Sequence, residues 1–204
     1  LNVLQAMEEC CPRSRLFYAA SSHVFGTPES EWQNEDTPLA PNSAYGISKA
    51  AGLQCCQLYR QQRGIFAATG ILFNHESSFR KPSFLSQKIV RGALRAQHDP
   101  TYRLALGDLE ARVDWGYAPD YVDAMTRILQ LGEASDFVVA SGEMHTVREF
   151  AQAAFGGPGG IQHRRDQHAA DAERVRLGRA VQPLHEIGQF REREVAHVSE
   201  GAQH

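Results

Sequence analysis

The chain has 204 residues, of which 42% are hydrophobic and 22% are charged, values typical of a globular protein. Its net charge of −3 gives no reason to expect nucleic acid or an anionic membrane as a partner. The cysteines form two adjacent pairs, Cys10–Cys11 and Cys55–Cys56, a spacing that suits neither zinc nor a disulfide within a pair. With no signal peptide and no membrane-spanning apolar run, we expect a cytoplasmic protein with reduced thiols and no metal.

The first predicted element is a helix over residues 1–11 that stops at Pro12. Its apolar residues recur at helical spacing from the first position onward, at Leu1, Val3, Leu4 and Met7. Because this apolar face is already present at the first residue, we expect the chain to start inside a fold and to be a fragment.

A buried strand is predicted over residues 15–20, because the segment is apolar on both faces, as in a parallel sheet. This strand runs into Ser21, Ser22 and His23. Ligands of open α/β sheets bind at the carboxyl ends of the strands, so these three residues are candidates for a site. The alternative is a plain serine-rich turn.

The next predicted helix, over about residues 44–62, carries Tyr45 and Lys49 in its first turns. Residues four apart lie on the same face of a helix. The pKa of free tyrosine is about 10, and a nearby ammonium group favours the phenolate. A tyrosine tuned in this way accepts a proton from an alcohol while hydride leaves the same carbon. The same spacing also occurs by chance in amphipathic helices with a surface lysine, so the neighbouring residues decide between the two interpretations.

Strands and helices continue to alternate through residue 155. A strand over residues 65–73 ends in the polar residues 74–77. The helix after it carries Lys88, Arg91 and Arg95, which either meet phosphates or form a solvated face. Thr146 and Glu149 have the spacing of a capping box. The remaining predicted elements are strands over 102–106 and 137–140 and helices over 82–97, 119–131 and 146–155.

The character of the sequence changes at Gly156. The glycine run 156–160 follows a helix rather than a strand, so it does not qualify as a dinucleotide-binding Gly-x-Gly-x-x-Gly loop. Residues 161–204 contain a single aromatic residue, Phe190, and little apolar periodicity. We therefore predict one domain over residues 1–155 and a divergent, poorly ordered tail over residues 156–204.

The order of strand, Ser-Ser, loop, Tyr-x-x-x-Lys and strand resembles the extended short-chain dehydrogenase/reductase superfamily. Residues 70–77 (Gly-Ile-Leu-Phe-Asn-His-Glu-Ser), 107–116 and 136–143 narrow the resemblance to the GDP-mannose 4,6-dehydratases. The resemblance covers about residues 1–155. It implies an α/β fold, the carboxyl-terminal half of a Rossmann-type doubly wound parallel sheet, with a small substrate-binding region.

The family resemblance also implies a reaction. An NADP-dependent lyase of this family oxidises the C4 hydroxyl of GDP-mannose, eliminates water across C5 and C6, and returns the hydride to C6. The product is GDP-4-dehydro-6-deoxy-mannose, a precursor in deoxyhexose biosynthesis. Such enzymes are dimers or tetramers, so the resemblance implies a homo-oligomer.

The resemblance assigns the catalytic roles to four residues. Tyr45 is the base at the C4 hydroxyl, and Lys49 tunes it and binds the nicotinamide ribose. Ser21 takes the place of a threonine that hydrogen-bonds the C4 oxygen, and Ser22 matches a family serine.

Four further residues match binding positions of the family. His75 and Arg80 match contacts with the cofactor, and Asn74 and Lys88 match positions that hold the substrate. Three of them also have a structural interpretation: Asn74 as a strand cap, His75 as a partner of the backbone, and Lys88 as a solvated charge.

The chain departs from the family pattern at His23, where the family has the glutamate that serves as base and acid in the elimination. Histidine transfers protons near pH 7, but its size and charge differ from those of glutamate. Val113 stands where the family has an arginine, and the glycine-rich half of the cofactor site is missing. We therefore expect the fragment alone to be inactive. The alternatives are a GDP-4-keto-6-deoxy-sugar reductase or epimerase, which needs no elimination base, and a non-catalytic remnant.

Overall fold

The computed structural model describes residues 1–156, so the tail predicted from 156 onward lies outside the described residues except for Gly156. The division into a domain and a tail therefore stays a prediction. The helices are α1 (Asn2–Cys10), α2 (Ala44–Arg63), α3 (Leu85–His98), α4 (Ala118–Ile128) and α5 (Val147–Gly156). The strands are β1 (Arg15–Ser21), β2 (Phe66–Leu72), β3 (Asn74–Glu76), β4 (Arg112–Tyr117), β5 (Asp136–Val139) and β6 (Met144–Thr146).

The first sheet has the strand order β1-β2-β5, and all its pairings are parallel. The register of β1 and β2 runs from Arg15 opposite Phe66 to Ser21 opposite Leu72, so the two strands end together. The residues that follow the two strands consequently meet at one edge of the sheet. This sheet confirms the predicted α/β fold with a partial doubly wound parallel sheet.

Helix α2 is bounded by a cap at each end. The hydroxyl of Ser43 accepts a hydrogen bond from the backbone N–H of Gly46 at 3.1 Å. Gly64 ends the helix in the left-handed conformation, with φ of 65°. Leu53 and Cys56 face the sheet and are almost fully buried, which anchors the helix across β1 and β2.

The start of α2 lies against a short 3₁₀ helix, Ser22–Phe25, that follows β1 directly. The approach is so close that a Cβ atom on Gly46 would lie 2.5 Å from the carbonyl oxygen of His23. Glycine at this position therefore allows the first turn of α2, with Tyr45, to reach the end of β1.

A second, smaller sheet has the order β3-β4-β6, with β3 parallel and β6 antiparallel to β4. The sequence analysis did not predict its three strands. Two of them have only three residues, too few to show an alternating pattern. Pairing places Asn74 opposite Trp115 and His75 opposite Gly116, so the residues after β2 are held by a partner about forty positions away.

The prediction of a strand over residues 102–106 is wrong. These residues are irregular, and Leu104 packs against α3 instead of alternating in a sheet. A Cβ atom on Gly92 would lie 2.9 Å from the Leu104 side chain, which shows how closely the segment covers the helix. The apolar residues of this segment therefore pack on a helix rather than in a sheet.

The other predicted helices are confirmed, with shifts of one to three residues at their ends. Thr146 and Glu149 form the predicted capping box at the start of α5. The Thr146 hydroxyl accepts from the Glu149 N–H at 3.1 Å, and the Glu149 carboxylate accepts from the Thr146 N–H at 2.9 Å. Within residues 1–156, no helix is long and apolar enough to cross a bilayer.

Candidate active site

A cavity of about 520 Å³ opens at the carboxyl ends of β1 and β2. Of the nine predicted site residues, all but Lys88 line it. They are Ser21, Ser22, His23, Tyr45, Lys49, Asn74, His75 and Arg80. The parallel register of the two strands brings these residues together, since the segments that follow them leave the sheet at the same edge.

Lys49 is anchored beside Tyr45 by the first strand. Its ammonium group donates a hydrogen bond to the backbone carbonyl of Ala19 at 2.9 Å. The same nitrogen lies 5.6 Å from the centre of the Tyr45 ring and 5.5 Å from that of the Tyr18 ring. Tyr45 itself is 53% exposed, so its ring is accessible to a ligand. The helix spacing thus produces the tyrosine–ammonium pair that the motif predicts.

The turn after β1 places two hydroxyl groups and an imidazole near Tyr45. The buried Ser21 accepts a hydrogen bond from the backbone N–H of His23 at 3.3 Å, and an accepting hydroxyl still has its own hydrogen to donate. The exposed ring of His23 meets the Tyr45 ring edge to face, with centroids 5.6 Å apart. His23 is therefore a direct neighbour of the tyrosine.

His75 is held by two contacts. Its Nδ1 lies 2.9 Å from the carbonyl oxygen of Phe73, which can only accept a hydrogen bond. In the neutral imidazole this contact assigns the hydrogen to Nδ1 and leaves Nε2 as an acceptor. The ring stacks on Tyr121, with 4.7 Å between centroids. His75 therefore bonds the backbone, as its structural interpretation predicts, and also lines the cavity.

Tyr121 of α4 supports the site, and sequence reasoning missed it. Its side chain is 1% exposed, and its hydroxyl has no hydrogen-bond partner among the described residues. Burial, followed by the negative charge of Asp114, raises the pKa of Tyr121 well above its ordinary value. The neutral ring serves as a platform under His75. In the sequence, Tyr121 stands at helical spacing from Ala124 and Ile128. This pattern indicates a residue of the hydrophobic core rather than a residue of a functional site.

Arg80 lines the cavity from the turn between β3 and α3. Its guanidinium forms two hydrogen bonds with the carboxylate of Glu76, at 2.9 and 3.3 Å, and lies 4.1 Å from the centre of the Phe84 ring. Sequence reasoning also missed Glu76 and Phe84 as neighbours of the site. The i,i+4 spacing of Glu76 and Arg80 was the available signal, although the segment between them is a turn rather than a helix.

The structure places Lys88 on the exposed side of α3, outside the residues that line the cavity. Its predicted contact with a substrate stays a prediction.

The parallel sheet, the Tyr-x-x-x-Lys helix at its carboxyl edge and the serines that line the same cavity define a protein of the short-chain dehydrogenase/reductase class. Solved structures agree with this fold. dTDP-glucose 4,6-dehydratase from Bacillus anthracis in complex with NAD superposes with a TM-score of 0.70 at 23% identity, over 78% of this chain and 50% of that one. RMD from Pseudomonas aeruginosa complexed with NADPH gives a TM-score of 0.69 at 26% identity, over 74% and 53%.

The family model for GDP-mannose 4,6 dehydratase matches residues 1–202, and the chain belongs to this family. GDP-mannose 4,6 dehydratases from Drosophila melanogaster and Homo sapiens are 40% and 41% identical over 157 residues, or 76% of this chain. The chain spans about two fifths of the length of these relatives, 40% and 42%. The match to the family model runs past residue 155, where we expected the resemblance to end.

Proposed function

We propose that this chain provides the proton-transfer residues and part of the cofactor site of an NADP-dependent GDP-mannose 4,6-dehydratase. The observation that carries the proposal is the cluster of Ser21, Tyr45 and the anchored Lys49 in one cavity. Membership of the family supports GDP-mannose as the substrate, and GDP-4-dehydro-6-deoxy-mannose with water would be the products.

Proton removal from the C4 hydroxyl belongs to Tyr45 in this proposal. The Lys49 ammonium group, 5.6 Å from the centre of the Tyr45 ring, is the positive charge beside this base. Ser21 donates its hydroxyl hydrogen to the C4 oxygen and so orients the sugar. General acid–base catalysis of this kind contributes about 10²- to 10⁴-fold to a rate.

The lining of the cavity fits a nicotinamide dinucleotide. Lys49 presents an ammonium group for ribose hydroxyls, Nε2 of His75 is an acceptor, and Arg80 presents a guanidinium for anionic groups. When bound, the nicotinamide supplies a reversible hydride acceptor. The structure of RMD from Pseudomonas aeruginosa complexed with NADPH supports NADP rather than NAD as the cofactor.

The chemistry of His23 distinguishes dehydration from a second candidate function. Its contact with the Tyr45 ring places an imidazole beside the site of proton transfer, where it can move the protons that the elimination requires. A GDP-4-keto-6-deoxy-sugar reductase or an epimerase needs no such group. The histidine in the position of the family glutamate is the observation that favours this second candidate.

The test is an assay of the complete gene product with GDP-mannose and NADP⁺, with Tyr45→Phe as the control. We expect a 4-keto-6-deoxy product that disappears in Tyr45→Phe, without net consumption of cofactor. Binding of GDP-mannose without product rejects the dehydratase. Stoichiometric oxidation of NADPH in the presence of a keto-sugar then identifies a reductase. A protein that shows no binding and no turnover is a non-catalytic remnant. Sedimentation of the same sample tests the predicted homo-oligomer.

A further inference from the structure

A carboxylate that does not line the cavity is hydrogen-bonded to Arg80. Glu76 accepts hydrogen bonds from Nε of Arg80 at 2.9 Å and from Nη2 at 3.3 Å. Ser86, in the first turn of α3, donates its hydroxyl to the same carboxylate at 2.6 Å. Arg80 lines the cavity, whereas Glu76 and Ser86 do not. Glu76 therefore reaches a ligand in the cavity only through Arg80.

These contacts leave one edge of the guanidinium available. Arginine has five N–H donors in a fixed plane, and two of them point at Glu76. The ring of Phe84 covers one face, at 4.1 Å. Nη1 makes no hydrogen bond with the protein within residues 1–156. The two terminal nitrogens consequently present a pair of donors whose spacing matches two oxygens of a phosphate.

Three elements hold the cluster in place. Pairing of β3 with β4 fixes Glu76 opposite Tyr117. The turn that carries Arg80 closes with a hydrogen bond from its N–H to the carbonyl of Ser77 at 3.2 Å. Ser86 is buried in the start of α3. Because the side chains of Glu76 and Arg80 are only 14% and 27% exposed, the guanidinium is held in one orientation before a ligand arrives.

We propose that Glu76 is a positioning residue that orients Arg80 to bind a phosphate group of the nicotinamide dinucleotide, with Ser86 fixing the carboxylate. This inference rests on the proposed function, because it assumes that the dinucleotide occupies the cavity. Without the Glu76 carboxylate, the arginine side chain has to be ordered when the ligand binds, and part of the binding energy is lost.

The test measures dinucleotide binding to the complete gene product by calorimetry, with NADPH and, separately, with GDP. Glu76→Gln keeps the shape of the side chain and removes its charge. Glu133→Gln removes the same charge from an exposed loop position and is the matched control. We expect Glu76→Gln to raise the Kd of NADPH about tenfold and to leave GDP binding unchanged. Glu133→Gln should change neither.

A double-mutant cycle with Arg80→Gln separates positioning from general structural support. If Glu76 acts through Arg80, then Glu76→Gln has no further effect on NADPH binding once Arg80 is replaced. The same loss in both backgrounds overturns the proposal. So does a loss that affects GDP alone or affects both nucleotides equally.

Ser86→Ala keeps the proposal testable if Glu76→Gln fails to fold. It removes one hydrogen bond from the carboxylate and should raise the Kd of NADPH about threefold, an effect that disappears in the Arg80→Gln background. An unchanged Kd in the folded Ser86→Ala variant overturns the role of Ser86. Failure of the proposed function has a different result: the unmodified protein then binds no NADPH, which overturns both proposals, whereas tight binding that ignores Glu76→Gln overturns this inference alone.

Discussion

The parallel sheet β1-β2-β5 and the mixed sheet β3-β4-β6 contribute to the same cavity in different ways. Tyr45 and Lys49 are placed by local structure, a capped helix packed on seven-residue strands. Asn74, His75 and Glu76 are placed by strand pairing with residues 115–117. The placement of the first group therefore follows from local structure, whereas that of the second depends on a contact between distant parts of the chain.

The two sheets also differ in how their packing is built. The core around α2 joins Leu53, Val24, Phe25 and Ile71, all nearly fully buried. The mixed sheet meets Tyr121 of α4, which belongs to a second core with Phe137 and Val139 of β5. A Cβ atom on Gly116 would lie 2.2 Å from the ring of Tyr121, the residue on which His75 stacks. We expect loss of volume to destabilise the first core, and added volume at Gly46 or Gly116 to destabilise either region.

The largest effect is expected at the catalytic centre of the first region. Replacing Tyr45 by phenylalanine removes the phenol that accepts the proton and should lower kcat of the complete gene product about 10²- to 10⁴-fold. Tyr117→Phe removes a hydroxyl from a tyrosine outside the cavity lining and is the matched control. Steady-state rates with GDP-mannose measure both. A loss of similar size in the control would show that the cavity is not the catalytic site.

The core around α2 and the irregular segment that covers α3 should respond differently to truncation of leucine. Leu53→Ala empties a buried position in the first core and should lower the free energy of unfolding by about 2–5 kcal/mol. Leu104→Ala shortens a half-buried side chain that covers α3 and should cost about 1 kcal/mol. Urea denaturation of the chain and its variants measures the difference. Equal costs would contradict the comparison.

The sequence predicts the first region well because its signals are local. The continuous apolar strand and the helix with Tyr-x-x-x-Lys spacing each show in residues that are close together in the sequence. Local signals and the family resemblance together found eight cavity residues but missed two of their neighbours, Glu76 as a support and Tyr121 as a platform. Their roles depend on which elements come together, and a single sequence does not contain that information at short range. The erroneous strand at 102–106 has the same cause.

Gly46 tests whether the approach of α2 to the end of β1 matters. The Cβ atom of Gly46→Ala would lie 2.5 Å from a backbone oxygen, so the helix start has to move, at a cost of about 1–3 kcal/mol. The displacement also moves Tyr45 away from Ser21 and should lower activity. Gly132→Ala is the matched control, because nothing lies within 4 Å of its Cβ position. Wild-type stability and activity in Gly46→Ala would contradict a tight junction.

The smallest effect concerns the platform of the second region. Tyr121→Phe removes a buried hydroxyl that has no partner, so stability near pH 7 should stay the same or rise by about 1 kcal/mol. At high pH the two proteins should diverge. Since the pKa of Tyr121 is raised by folding, the unfolded chain ionises this tyrosine first, from its ordinary pKa of 10.0 upward. The wild type therefore loses stability as the pH rises above 10, and Tyr121→Phe should lose less over the same interval.

Urea denaturation of both proteins at pH 8 and at pH 11 measures this divergence. The compared quantity is the loss of the free energy of unfolding between the two pH values in each protein. Parallel losses in the two proteins would contradict the burial of the Tyr121 hydroxyl. Tyr121 would then not be an uncharged platform for His75, because its ionised form would carry a negative charge beside Asp114. A smaller loss in Tyr121→Phe would instead show that folding keeps the Tyr121 hydroxyl un-ionised, and unchanged stability at pH 8 would show that packing around Gly116 rather than a hydrogen bond holds the platform.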